Sequence, residues 1–266
     1  MKQSDLLDSK LIQGMLSPVS LDRISKLILL EEVDSTNSLL QKELNAGMGP
    51  VLVCSADHQT AGRGRSGKFW HSPLSKNIYL SISWEYALPY HKVDGLSLAI
   101  GVVVLDSLIS YGYPELKLKW PNDILFDGAK LAGILVEIIG RADSSLKIIV
   151  GVGVNVNMSA KQGSVIGRSW TDLSSIKPKP PPSRNELLAT LVDQLIDLFL
   201  SYPEKGFSHW RNSWNARDSF MGKNAQIISN GETLSGISRG VDSKGRLILD
   251  SSEGLLFIAA GDVSLR

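Results

Sequence analysis

Four strand-like runs follow one another between residues 116 and 157, and they constrain the fold more than any other feature of the chain. The runs are Leu116–Trp120, Ile124–Phe126, Lys130–Ile139 and Lys147–Asn157. Asp127-Gly128, between the second run and the third, is typical of a tight hairpin turn. Two earlier runs, Val51–Ala56 and Asn77–Trp84, have the same strand-like character. We therefore predict a β-sheet as the centre of this part of the chain.

Helical patterns alternate with these strands. The polar cluster Asp34–Asn37 can cap a helix that ends at Gly47, and Asp94 can cap a second helix that ends near Gly112. Ser183–Glu186 matches a capping box before a long apolar stripe. A further short helix is indicated by the aromatic residues between 207 and 214. The sequence thus predicts an α/β (α+β) domain with a mixed sheet flanked by helices.

The pattern changes near residue 218. Short β-like runs are then separated by turns at Asn230-Gly231, Asp242–Gly245 and Ser252–Gly254. Turns at this spacing predict a small antiparallel barrel of about five strands. We predict one domain over residues 1–217, in which residues 1–30 form an N-terminal extension, and a small β domain over residues 218–266.

Composition excludes several classes of protein. Lys and Arg total 28 and Asp and Glu total 27, so the chain is not a globally basic nucleic-acid binder, although a local basic patch is possible. One cysteine excludes a disulfide framework and a Cys-based zinc site, and it fits a reducing cytoplasm. No apolar run reaches the roughly 18 residues of a membrane helix. Met1–Asp5 leads into acidic residues, so we expect no secretory signal, no membrane association and a cytoplasmic location.

The segment Gln59–Trp70 is the most informative loop. Its three glycines formally make a G-x-G-x-x-G pattern, but no helical period follows and Pro73 interrupts the segment, which argues against a dinucleotide fold. Two arginines and a lysine on a flexible backbone can wrap a phosphate or a carboxylate. The alternative is a solvent-exposed loop with ordinary charges.

Lys130 opens an otherwise apolar strand. Such a lysine either reaches outward to solvent or is held by an anion. Asp123 is either a metal-associated carboxylate or a turn residue.

Asn155 lies on a strand whose glycines let a ligand approach the backbone, and it is either a ligand contact or a strand-end amide. Trp170 lies in a polar loop, where it can stack on a base or simply anchor the loop. Cys54 fits a packed core thiol. No side chain stands out as a covalent nucleophile, so any chemistry must rest on positioning and charge stabilisation.

Together these segments resemble the biotin–protein ligase family, also called biotin–[acetyl-CoA-carboxylase] ligases. The segments that carry the resemblance are Asp34–Asn37, Gln59–Gly67, Lys119–Asp123, Lys130–Glu137, Gly151–Asn155, Gly236–Gly240 and Gly261–Arg266. The resemblance implies a catalytic domain similar to biotin/lipoate ligases and class II aminoacyl-tRNA synthetases, followed by a small SH3-like β-barrel. It also implies two reactions: ATP converts biotin to biotinyl-5′-AMP, and a lysine of a biotin carboxyl carrier domain then takes the biotin.

The resemblance also implies residue roles. The biotin side comprises Ser35, Thr36, Asn37, Gln59, Arg63, Gly64, Arg65 and Lys130. Lys130 and Arg65 are the catalytic candidates, and Trp70 closes the pocket. The ATP side comprises Lys119, Asn122, Asn155 and Trp170, with Mg²⁺ accompanying the nucleotide and Asp123 as its candidate ligand.

Some members of the family carry an N-terminal DNA-binding domain and act as repressors. Only about 33 residues precede Asp34, so we expect no DNA binding; a homodimer is possible. Two other functions stay open: a lipoate or octanoate ligase, and a non-catalytic biotin sensor.

Overall fold

The computed structural model describes residues 6–87, 93–142, 145–177, 179–229 and 231–265. The start Met1–Asp5, on which the secretory prediction rests, lies outside these ranges, as do Asn230 of a predicted turn and Arg266 of the last family segment.

Seven strands form one mixed sheet. They are β1 (Lys26–Val33), β2 (Leu52–Gln59), β3 (Asn77–Tyr86), β4 (Lys117–Lys119), β5 (Asp123–Phe126), β6 (Ala129–Ala142) and β7 (Ser145–Asn155). Their order is β1-β2-β3-β7-β6-β5-β4, and β1 pairs with β2 in parallel whereas the other pairs are antiparallel. The predicted strands and the hairpin at Asp127-Gly128 are confirmed, since both turn residues have positive φ.

The described ranges contain eight α-helices. They are α1 (Ser9–Met15), α2 (Pro18–Arg23), α3 (Thr36–Asn45), α4 (Leu96–Ser110), α5 (Ala160–Gly163), α6 (Leu173–Ile176), α7 (Arg184–Lys205) and α8 (Ser208–Arg217). Ser35 caps α3 and Ser183 caps α7, as predicted. The predicted cap at Asp94 is wrong. Gly95 takes that position with φ +76°. A Cβ at residue 95 would lie 2.5 Å from the Phe207 ring, so glycine leaves the room that this ring needs.

The two faces of the seven-stranded sheet are packed differently. α4 and α7 cover one face and enclose the main hydrophobic core. α3 covers only part of the other face, over a small core of Leu40, Leu52, Cys54 and Ile149. Cys54 is fully buried and its burial raises the pKa of the thiol to about 12, which confirms a packed core cysteine. The uncovered remainder of the α3 face is where ligands can approach the sheet.

A second, antiparallel sheet follows α8. Its strands are β8 (Asn224–Ser229), β9 (Glu232–Val241), β10 (Leu247–Ser251), β11 (Gly254–Ile258) and β12 (Asp262–Leu265). They are ordered β11-β10-β9-β8-β12, so the five predicted antiparallel strands are confirmed, while their closure into a barrel stays a prediction. The indole of Trp120 donates to Gly245 O at 3.1 Å and thereby ties this sheet to the first. The exact boundary between residues 217 and 218 stays a prediction. Within the described ranges, no helix combines the length and apolarity needed to cross a bilayer.

Candidate active site

A cavity lies over β6 and β7 on the α3 face of the sheet. Gly133 and Gly153 pair directly across the two strands and form its floor. The Trp70 indole lies against them, because a Cβ on Gly153 would come within 2.5 Å of its ring and one on Gly133 within 2.9 Å. The glycines therefore leave a slot in which a flat group can lie against the backbone.

One end of this cavity is built by the start of α3. The backbone N–H and hydroxyl of Thr36 both donate to Gln59 Oε1, at 2.9 and 3.1 Å. Gln59 Nε2 in turn donates to Ser72 Oγ at 3.1 Å. Ser35 and Asn37 line the same end. Four residues predicted for the biotin side thus lie together at this end, and hydrogen bonds orient the Thr36 and Gln59 side chains.

The glycine–arginine loop borders the cavity. Arg63, Gly64 and Arg65 all line it, as predicted. The Arg63 guanidinium pairs with Glu137 on β6 at 2.7 Å, and Arg65 Nη1 donates at 3.5 Å to the carbonyl of Gly261, which directly precedes the strand Asp262–Leu265. Arg63 and Arg65 therefore hold the loop beside the cavity, whereas residues 66–69 are exposed. The choice between an anion-binding loop and an ordinary exposed loop stays open.

Lys130 is the most deeply placed cation of the site. Its ammonium forms a short ion pair with Asp123, and the two side chains are only 12% and 15% exposed. Burial lowers the pKa of Lys130; Asp123 opposes this shift, whereas Arg168 and Lys119 add to it. The outward-reaching alternative for Lys130 is wrong. Asp123 is the first residue of β5 rather than part of a turn. This ammonium is placed to meet an anionic ligand.

A second cavity adjoins the first, and Trp70 and Lys130 line both. Asn155 and Trp170 line the second cavity. The backbone of Lys130 is bonded on both sides of Trp170: its N–H donates to Ser169 O at 3.1 Å and its carbonyl accepts from Thr171 N at 2.9 Å. The predicted nucleotide side and the predicted biotin side thus share lining residues, Lys130 among them.

Three further residues predicted for the nucleotide are Asn155, Asn122 and Lys119, and not all of them line a cavity. Asn155 Nδ2 donates to Thr171 O at 3.0 Å, so its amide also anchors the Trp170 loop. Asn122 lines the first cavity and its Nδ2 donates to Ile134 O at 2.7 Å. Lys119 lines neither cavity; its ammonium lies 5.9 Å from the ring centre of Phe220. Its contact with a nucleotide stays a prediction.

Sequence reasoning missed several residues of the site. Glu137 belongs to a family segment, but the sequence predicted no role for it. A carboxylate in an otherwise apolar strand does indicate a polar partner. Arg168 lines both cavities from the Trp170 loop. The Ser81 hydroxyl lies 2.5 Å from Asn37 Oδ1 and 2.7 Å from Thr36 Oγ1. No local pattern identifies Ser81, because its contacts arise from the pairing of distant segments.

Comparison with known proteins finds clear relatives of this chain. The model of the biotin/lipoate A/B protein ligase family matches residues 29–155, and that of the biotin protein ligase C-terminal domain matches residues 220–266. The bifunctional ligase/repressor BirA of Escherichia coli is 34% identical over 264 residues, covering 98% of this chain and 78% of BirA. The chain belongs to the biotin/lipoate A/B protein ligase family. The biotin–[acetyl-CoA-carboxylase] ligase of Mycobacterium tuberculosis is also 34% identical, over 90% of this chain and 88% of its own length.

A solved structure extends this likeness to the fold of the biotin/lipoate A/B ligases. The biotin protein ligase from Aquifex aeolicus in complex with biotin and ATP superposes with a TM-score of 0.75 at 29% identity, covering 91% of this chain and 98% of that one. The predicted family and fold class, a mixed α/β domain with a small β unit after it, are thereby confirmed.

Proposed function

We propose that this chain is an ATP-dependent biotin–protein ligase. The observation that carries the proposal is the position of Lys130, whose ammonium lies where two adjoining cavities meet. One cavity is lined by fixed amides and hydroxyls that suit the ureido head of biotin, and the other by an aromatic residue that suits a base. A cation between them would face both the carboxylate of biotin and the α-phosphate of ATP.

In the first step, a carboxylate oxygen of biotin attacks the α-phosphorus of ATP. The bond to the bridging oxygen breaks, and pyrophosphate leaves with that electron pair. Negative charge accumulates on the phosphoryl oxygens in the transition state, where we assign Lys130 and Arg65 to stabilise it. Removing one preorganised donor of this kind typically costs about 10²–10³ in rate.

In the second step, the amine of an acceptor lysine attacks the carbonyl carbon of biotinyl-5′-AMP. The bond to the phosphate oxygen breaks, AMP leaves, and the amine loses a proton as the amide forms. We propose a biotin carboxyl carrier domain as the acceptor. Neither step needs an enzyme nucleophile, which fits a site built from cations and amides.

Mg²⁺ accompanies ATP in this proposal. Magnesium sites of nucleotide enzymes usually combine one or two carboxylates with the substrate phosphates. No group of three or more metal-binding side chains occurs in the described ranges, so a dedicated protein cage is not what this site offers. Asp123 fits the role of a single carboxylate ligand beside the phosphates. When bound, the ion would neutralise phosphate charge.

Biotin-dependent ATP–pyrophosphate exchange tests the first step. We expect Lys130→Ala and Arg65→Ala to reduce exchange by about 10²-fold or more. Lys147→Ala is the matched control, since Lys147 pairs with Glu85 and lines neither ligand cavity. Near-normal exchange in both site variants would show that the residue assignment is wrong.

Two further assays separate the alternatives. Labelled biotin incorporation into a carrier domain, with lipoate as control, distinguishes a biotin ligase from a lipoate or octanoate ligase. Absence of any biotin-dependent exchange in the unaltered protein would favour a sensor. The homodimer, the lack of DNA binding and the cytoplasmic location stay predictions.

A further inference from the structure

We infer that Glu137 is a positioning residue for the biotin site, acting through Arg63 and Asn37. Its oxygen Oε2 accepts a hydrogen bond from Asn37 Nδ2 and another from Arg63 Nη2, each 2.7 Å long. A single carboxylate therefore joins three separate segments: the glycine–arginine loop, the first turn of α3, and β6. This inference rests on the proposed function, because it assigns Glu137 to the binding of that substrate.

The position of Glu137 on β6 makes this contact possible. Side chains of a strand alternate between its two faces, so Glu137 shares a face with Gly133 and Leu135. Those two residues line the first cavity. Glu137 lies next along that face, at the rim of the cavity, and from there its carboxylate reaches the loop that borders the ligand.

The Arg63–Glu137 pair adds to the bonds that hold the loop. Gly64 N donates to Lys68 O at 2.7 Å, and Trp70 N donates to Gly62 O at 2.9 Å. These bonds give residues 62–70 the form of a small flap, which Trp70 holds on the glycine floor at one end. The Arg63–Glu137 pair spans 74 residues of sequence and ties the flap to β6.

Glu137 also orients the Asn37 amide. Its carboxylate accepts a hydrogen bond from the Asn37 NH₂ group, while the Ser81 hydroxyl donates to Asn37 Oδ1 at 2.5 Å. Gly151 leaves room for this amide, since a Cβ there would lie 2.6 Å from Asn37 Oδ1. Without the carboxylate, nothing described would hold the NH₂ end, and the amide could rotate within the biotin site.

The exposure of the Arg63–Glu137 ion pair indicates that it contributes little to the stability of the fold. Arg63 is 40% exposed and Glu137 28% exposed, so water screens the two charges. Exposed ion pairs contribute little to folding stability. We therefore expect loss of Glu137 to weaken biotin binding while the fold stays intact.

The test is Glu137→Gln in the full-length protein, with biotin as the probe. We expect the Kd for biotin and its KM in pyrophosphate exchange to rise about tenfold, as for one lost charged hydrogen bond. The kcat at saturating biotin should change less than about threefold, and the Tm by less than about 2 °C. The rise should be partly reversed in Glu137→Asp, which restores the charge.

Two comparisons complete the test. Glu85→Gln is the matched control, because Glu85 pairs with Lys147 on the same sheet at similar exposure and outside the cavity; its biotin affinity should be unchanged. Arg63→Ala combined with Glu137→Gln should weaken binding by less than the sum of the two single effects, since both variants remove the Arg63–Glu137 contact while the Asn37 contact is lost only with Glu137.

Unchanged biotin affinity in Glu137→Gln would overturn the inference, and so would a large fall in Tm with equal losses in kcat and kcat/KM. Strictly additive effects of the two variants would overturn it as well. Direct biotin binding is measured without ATP, so a failure of the ligase assignment would appear separately, as an absence of exchange in the unaltered protein.

Discussion

Replacing Gly153 with alanine should disturb both cavities together, because Trp70 lies between them. A Cβ at position 153 would be 2.5 Å from Cε2 and Cζ2 of the indole. Carbon atoms in contact need about 3.5 Å, so the ring must move by about 1 Å. A displacement of that size near reacting groups can cost about 10²-fold in rate. We therefore expect biotin-dependent pyrophosphate exchange in Gly153→Ala to fall about 100-fold.

Stability should fall much less than activity in this variant. Overpacking of this kind costs about 1–3 kcal/mol, and each kcal/mol lowers the Tm of a chain this size by about 2–4 °C. Gly140→Ala is the control on the same strand pair: its Cβ would meet Lys147 Cβ at 3.6 Å, an ordinary contact. Exchange in Gly153→Ala within threefold of the control would refute the inference that the glycine floor positions Trp70.

Three further predictions concern titratable groups. Burial lowers the pKa of Lys130, and the Asp123 carboxylate opposes this shift. Asp123→Asn should therefore lower the Lys130 pKa further and move the alkaline limb of the kcat–pH profile for exchange to lower pH. An unmoved limb would contradict a protonated Lys130 in the reaction. Burial raises the pKa of Asp218 to about 6 from 3.8, so the native state binds this proton more tightly than the unfolded chain does. The resulting stabilisation is complete below about pH 4 and disappears as pH rises through 6, and by linkage it amounts to roughly 3 kcal/mol. Asp218→Asn should therefore be more stable than the unaltered protein at pH 8 but not at pH 4 in urea titrations. Cys54, with a pKa raised to about 12, should resist iodoacetamide at pH 8 in the native protein and react once urea is added, as peptide mapping would show.

The local elements could be predicted because their signals are local. Ser35 and Ser183 cap helices through hydrogen bonds within their own first turns. Asp94 failed as a cap because the choice between it and Gly95 depends on Phe207, more than a hundred residues away. Tertiary packing decided that position.

The sequence predicted many of the residues that line the site, but not the hydrogen bonds and ion pairs between them. Arg63, Arg65 and Lys130 were found from motif and charge, and the structure gathers them at one cavity. The role of Glu137 depends on the register of β6 against β7 and on the bend of a distant loop, neither of which a single sequence fixes. Lys119 shows the opposite limit, since its motif is clear while its side chain faces Phe220.

The sharing of Trp70 and Lys130 by both cavities has a practical consequence for inhibitor design. One compound that fills both spaces needs no long spacer, because the two cavities share lining residues. It would gain the contacts of two substrates while losing translational and rotational freedom only once. Stable mimics with an uncharged link in place of the phosphate would lose part of that gain, since the Lys130 ammonium would then find no anionic group on the ligand.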